Sequence, residues 1–194
     1  MPAENQAYME SWKKYCPDYD IRRWDESNYN VTKNQYMKQA YDRGKWAFVS
    51  DYARIDIVYK YGGIYLDCDV KLLKPLDVFL QGDMYCGFED DRYINLGLGF
   101  GATAGHPYLA SLLHYYENLS FINDEGNMNL TPCPTYQTEV IGSYGILGWG
   151  IGKVTDKSYS IHHFSASWED DDKKMEFSRW KKLIKRLYER IRKQ

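Results

Sequence analysis

The sequence has no apolar run approaching the roughly 18 residues of a membrane span, and no basic-then-apolar segment opens it. Neither a spanning helix nor export is therefore indicated, and a cytoplasmic location is expected. There is no C-x-x-C pair among the four cysteines, Cys16, Cys68, Cys86 and Cys133. Zinc binding through thiols is thus not expected, and the four are read as reduced. No internal repeat is present, and neither charge sign is in large excess, since 25 Lys and Arg stand against 27 Asp and Glu. The charge is nonetheless uneven. From Lys173 to Lys193 ten Lys or Arg face only Glu176 and Glu189, a local +8, so the remainder carries −10. An acidic body argues against a nucleic-acid partner. The basic tail is a candidate for contact with an anionic membrane surface at the inner face of the cytoplasmic membrane.

What is there is the length for one domain, 194 residues, and an abundance of tyrosine, 19, with 6 Trp. Such side chains build faces that are apolar yet hydrogen-bonding, as in carbohydrate sites, or they simply fill a core. Hydrophobic periodicity predicts helices over Gln6–Tyr15, Asn34–Asp42, Trp46–Tyr61 and from Pro107 to about Asn118. Strands are expected at Asp20–Trp24, Ile64–Leu66, Val70–Leu73, Met84–Phe88, Ile94–Ala102 and Tyr159–Phe164, with loop from Asn123 to Pro134. Gly97, Gly99 and Gly101 recur at period two and leave one strand face bare, which lets a backbone or a ligand approach. Between Lys173 and Lys193, apolar residues from Trp180 to Ile191 fall at helical spacing among basic ones. That pattern fits a terminal helix docked on the body or lying on anionic lipid. The expected domains are accordingly residues 1–172 and a basic amphipathic helix over 173–194.

The chemistry concentrates between Ser50 and Asp69, SDYARIDIVYKYGGIYLDCD. A helix carrying Asp51 and Arg54 three residues apart ends at Gly62-Gly63, and a short apolar strand delivers Asp67 and Asp69. Two carboxylates flanking one residue at a strand end suit a hard divalent cation, leaving positions free for substrate phosphates. The helix is apolar nearly all round, so Asp51 and Arg54 are expected to be buried and in need of partners rather than to form a solvated pair. Late in the chain His162 or His163 could add a third metal ligand, and the Trp168 indole N–H could reach a phosphate or a sugar hydroxyl.

These residues carry a resemblance. SDYARIDIVYKYGGIYLDCDV, together with ESWKKYCPDYDIRRWDESNYNV, KWAFVSDYAR, INLGLGFGATAGHPYL and IHHFSASW, looks like the DXD-motif glycosyltransferases of the GT-A fold. The likeness is to the bacterial capsular and surface-polysaccharide type. That sequence family includes yeast initiating mannosyltransferases, and clostridial glucosylating toxins are distantly similar. The resemblance covers most of residues 10 to 168. It implies an α/β fold, Rossmann-like, with a mixed, mainly parallel sheet flanked by helices. It implies a nucleotide-sugar donor, UDP-sugar before GDP-sugar, whose diphosphate is held by Mn²⁺ or Mg²⁺ on Asp69 and, directly or through water, on Asp67. It carries Asp51 and Arg54 over as donor-sugar and nucleotide contacts and Asn95 as a border of the sugar pocket. His162, with His163 less favoured, becomes the late metal ligand, and Ser167 and Trp168 lie near the β-phosphate.

The reaction implied is retaining transfer of a sugar, by front-face attack of an acceptor hydroxyl, to a surface polysaccharide or a lipid-linked oligosaccharide. Family members begin with a strand absent here, which leads to the expectation that Met1 is an internal methionine and that the first sheet strand is missing. Two alternatives compete. The pattern hhhhDxDV also opens haloacid-dehalogenase-type phosphatases, with Asp67 as nucleophile, and a degenerate homologue could bind sugar without catalysis.

Overall fold

The computed structural model describes residues 3–89, 93–142 and 160–162. Helix α1, Ala3–Tyr15, ends where Pro17 denies the chain another turn. Helix α2, Gln35–Asp42, starts at Asn34, whose extended backbone lets its side chain accept from the Met37 N–H at 3.0 Å. Helix α3, Trp46–Tyr61, buries Phe48, Val49, Tyr52, Ile55 and Val58 together with three charged residues, Asp51, Arg54 and Asp56.

Gly62 stops α3 at φ +67, its N–H returning to the Val58 carbonyl at 2.8 Å, and Gly63 follows at φ +102. Both angles favour glycine, and a Cβ at Gly62 would stand 3.0 Å from the Ala104 backbone nitrogen. Helix and strand are therefore joined with no intervening loop.

The strands are β1, Gly63–Tyr65; β2, Val70–Leu72; β3, Met84–Phe88; β4, Ile94–Ala102; and β5, Ser160–His162. A 3₁₀ turn, Asp77–Gln81, precedes β3. Helix α4, Pro107–Glu117, begins with proline at its first position, where the missing N–H costs nothing. Helix α5 spans Cys133–Gly142.

One sheet has the order β1-β4-β3 and a second pairs β2 with β5. The mixed α/β fold with flanking helices is as expected. The ladders among the described residues, however, are all antiparallel rather than mainly parallel. The connection from Phe88 to Ile94 is far too short for the crossover that a parallel pair requires, so β3 and β4 close as a hairpin.

Two further expectations are corrected. Residues 20–24 form no strand, and helix α5 opens within the stretch expected to be loop. Pro134 reads as a breaker in sequence but sits in the first helical turn, where it is tolerated.

The main core joins α2, α3, α4 and α5 to β4, with Tyr36, Met37, Ile55, Leu96, Phe100, Leu109, Tyr116 and Phe121 fully buried. Most of the tyrosines here are packing residues: Tyr36, for example, meets Tyr116 edge-on at 5.2 Å and Phe121 at 5.5 Å. A smaller cluster around Cys16, Leu72 and Leu76 packs beneath α1.

Among the described residues no helix is long and apolar enough to cross a membrane, and all four cysteines are free. The chain divides into a unit Met1–Phe164 and a second, Ser165–Gln194. The basic helix expected at 173–194 lies outside the described residues, as does the expected boundary at 172.

Candidate functional site

The site is built where α3, β1 and β4 meet. Asp51 and Arg54 lie one helical turn apart on α3 and are both nearly inaccessible, at 6% and 5% exposure. The Arg54 guanidinium reaches the Asp51 carboxylate at 3.0 Å. Its other amino nitrogen faces Asp67 Oδ2 at 3.7 Å, so one cation is shared between two carboxylates. Arg54 also donates to the Ser50 carbonyl at 3.0 Å and to the Ser50 hydroxyl at 2.8 Å, and lies over the Tyr65 ring at 5.1 Å. Those contacts hold the fork in one orientation and answer the sequence question of what partners a buried pair would find.

Tyr65 stands two residues before Asp67 and donates its hydroxyl to the Asp67 carboxylate. Asp67 is thus gripped by a phenol and faced by a guanidinium, while its side chain remains about a quarter exposed. Asp69 is buried at the foot of β2. Between them Cys68 is exposed and accepts from the Asn5 amide at 3.2 Å.

Gly97 explains how these groups fit together. A Cβ at that position would lie 2.7 Å from Arg54 Nη1, 2.9 Å from Asn95 Oδ1 and 3.1 Å from Asp67 Oδ2. The bare strand face foreseen from the glycine spacing is therefore filled by the protein's own side chains. Gly101 makes room for Tyr85 and Ile64, and Gly99 for Leu66. Asn95 accepts from the Gly97 N–H at 2.7 Å and donates to Glu89 at 3.3 Å, which seats it on the border of the cluster.

Burial shapes the electrostatics. It raises the Asp51 carboxyl above the usual aspartate range, against the opposing pull of Arg54 and of the Cys133 thiol, which donates to it. The same burial, helped by the charge of Asp51, holds the Cys133 thiol well above its ordinary value and so protonated. Burial would lower Arg54, but Asp67, Tyr65 and Asp51 outweigh it and keep the guanidinium charged. Tyr65 is raised by burial and stays a donor.

Of the sequence-proposed residues, Asp51, Arg54, Asp67 and Asn95 come together, and Asp69 is buried two residues beyond Asp67. His162 enters through its backbone: β2 and β5 pair so that it stands across from Val70, the residue after Asp69. His163, Ser167 and Trp168 lie outside the described residues. Three contributors were not foreseen. For Tyr65 the available signal was its position at the end of β1, two residues before Asp67 in extended chain. Gly97 was noticed for the wrong neighbour. Cys133 gave no signal, because nothing in sequence ties it to Asp51.

Two carboxylates offer only hard oxygen donors, which suits Mg²⁺ or Mn²⁺ held by one or two protein carboxylates with phosphate oxygens and water completing the shell. Among the described residues no cluster of three or more His, Cys, Asp or Glu is placed to hold a metal. The phosphatase alternative fits less well. It needs an open nucleophile, whereas Asp67 is already engaged by the Tyr65 hydroxyl, and among the described residues β1 pairs with β4 alone, antiparallel.

Residues 2–85 match the family described as glycosyltransferase sugar-binding region containing DXD motif. The chain is 35% identical over 129 residues to inositol phosphoceramide mannosyltransferase 1 of Schizosaccharomyces pombe, across 63% of this chain and 35% of that protein. It is 31% identical over 109 residues to inositol phosphoceramide mannosyltransferase 3 of the same yeast, across 54% and 30%. It is 35% identical over 65 residues to alpha-1,4-N-acetylglucosaminyltransferase of Homo sapiens, across 33% and 18%. The chain thus spans 18 to 35% of the length of these relatives. The family match and all three likenesses are to glycosyltransferases, so the expected enzyme class is borne out at the level of family likeness.

Proposed function

From a DXD-type glycosyltransferase sugar-binding region as premise, we propose that this chain binds a nucleotide sugar with a divalent cation and transfers its hexose to a carbohydrate-bearing acceptor. The observation that carries the proposal is the convergence of Asp51 and Asp67 on one buried guanidinium over Gly97, with Asp69 two residues on. Asp69 and Asp67 would hold the cation, Mn²⁺ or Mg²⁺, with His162 a further candidate. A cation bound there neutralises charge on the leaving diphosphate.

The chain's own residues do the positioning. Arg54, always charged and locked by Ser50, Asp51 and Tyr65, orients the Asp67 carboxylate and offers fixed positive charge beside the diphosphate. Tyr65 keeps the same carboxylate from turning. Asn95, at the open border, is the candidate contact for donor-sugar hydroxyls. A UDP-sugar is the first donor to test and a GDP-sugar the second, the latter favoured by the two mannosyltransferase relatives. Retention of anomeric configuration, and a lipid-linked or polysaccharide acceptor, complete the proposal.

The test is release of nucleoside diphosphate from a panel of UDP- and GDP-sugars, with and without Mn²⁺. Replacing Asp69 with Asn is expected to cut turnover by about a thousandfold, the loss of a term worth several kcal/mol at the transition state, while the thermal midpoint stays put. Undiminished turnover in excess EDTA would sink the metal role.

A further inference from the structure

Helix α1 touches the DXD segment between the two aspartates and just after them. Trp12 and Tyr15 pack against the same small cluster of Cys16, Leu72 and Leu76 that Ile64 and Leu66, the apolar residues leading into Asp67, also cover. The Asn5 amide, itself buried, donates to the Cys68 sulfur between the aspartates. Beyond them, the Trp12 indole N–H donates to the Val70 carbonyl at 2.8 Å, and the Ser11 hydroxyl accepts from the Leu72 N–H at 2.9 Å.

The last two contacts are paired for a reason. The carbonyl of one strand residue and the N–H two residues on point to the same edge, so neighbouring side chains of α1 satisfy the two groups that a further strand would have bound. The Ser11 hydroxyl gives its own proton to the Tyr8 carbonyl, which favours the rotamer that faces Leu72. On its other edge β2 pairs with β5.

We propose that α1 is a clasp that sets the spacing of Asp67 and Asp69, with Ser11 and Trp12 as positioning residues for the cation site. This rests on the proposed transferase function and extends it: the metal affinity of the site would be governed by a helix that contributes no ligand to it. The physical reason is leverage. Asp67 is pinned by Arg54 of α3 and Tyr65 of β1, whereas α1 holds the Cys68 side chain just before Asp69 and the Val70 backbone just after it. A slackened edge of β2 therefore changes the distance between the carboxylates without disturbing the core beneath α3.

The experiment uses the full chain, with Ser11→Ala and Trp12→Phe as test variants, Ser11→Thr as rescue and Lys13→Ala, on the exposed side of α1, as control. Three quantities are read: amide exchange at Leu72, the Mn²⁺ concentration for half-maximal binding by titration of free Mn²⁺, and the thermal midpoint. In Ser11→Ala we expect Leu72 exchange and the Mn²⁺ half-saturation point each to rise by about tenfold, as fits loss of one hydrogen bond to a buried strand N–H. Exchange in β4 and α3 should be unchanged, and Ser11→Thr should restore wild-type values. Trp12→Phe should act in the same direction, and Lys13→Ala should do nothing.

A lowered thermal midpoint with unaltered Mn²⁺ half-saturation would overturn the positioning role and leave α1 as simple packing. Unaltered Leu72 exchange in both test variants would overturn the clasp itself. Failure of the wild-type chain to bind Mn²⁺, with Leu72 protection still lost in Ser11→Ala, would instead refute the transferase function, and the positioning role with it.

Discussion

Two aspartates on α3, Asp51 and Asp56, are almost equally buried, at 6% and 8% exposure, yet they keep different company. Asp56 has a partner of its own: the Lys33 ammonium at 2.5 Å, with the Tyr29 hydroxyl donating at 2.8 Å. Lys33 is itself more than a third exposed, so this cluster lies at the margin and ties the 23–34 segment to the helix. Asp51 instead shares its guanidinium with a second carboxylate, deep in the protein, and takes a thiol as its other donor. The first arrangement is what a fold needs to anchor a loop. The second is costly for stability alone, since a buried ion pair seldom beats an apolar replacement. It makes sense where charges must be held ready for a ligand.

This contrast can be broken or sharpened by substitution. The largest effect is expected from Arg54→Ala, which strands Asp51 and Asp67. Urea unfolding should show a loss of about 3–5 kcal/mol, and nucleotide-sugar turnover should vanish. A loss no greater than at a surface pair would show that the two clusters do not differ. Next comes Gly97→Ala, where a methyl group would press on Arg54 Nη1 at 2.7 Å. Overpacking of about 1–3 kcal/mol is expected, together with a raised KM for the donor sugar, because Asn95 must move as well.

Lys33→Ala, on the other side of the helix, should cost no more than about 1 kcal/mol given the exposure of its ammonium, and should leave KM and kcat alone. A changed KM there would mean that the two clusters communicate.

The smallest effect is in pH. Because folding raises Asp51, the native state holds its proton more tightly than the unfolded chain does. Asp51 therefore subtracts from stability as pH climbs from the ordinary aspartate value, about 3.9, through its own higher one. Replacing Asp51 with Asn should flatten that part of the thermal-midpoint profile.

How much of this was visible in sequence follows from range. Helix α3, its glycine stop and the strand carrying Asp67 are local patterns in one continuous stretch, and they were legible down to the burial of Asp51 and Arg54. Pairing direction was not, because a strand of three residues carries no signal about its partner. The DIRRW segment alternates weakly, but among the described residues no strand pairs with it and it is irregular. Helix α5 was hidden behind Pro132 and Pro134, and with it went Cys133, the thiol on Asp51. Gly97 shows the intermediate case: a residue type can announce a close approach without saying what approaches.

The hairpin of β3 and β4 also bears on the order of events as the chain folds. Its strands are neighbours in sequence and can meet early, at little loop-closure cost. Strand β1 pairs with β4 only by bringing Tyr65 to Phe100, which encloses β2, the 3₁₀ turn and β3 in one loop. Gly62 and Gly63 join β1 to α3 without slack, so the helix must arrive with its strand. Gly97 and Asn95 of β4 thus reach Arg54 and Asp67 only when that long closure is complete, and refolding experiments should find recovery of the site trailing recovery of the hairpin.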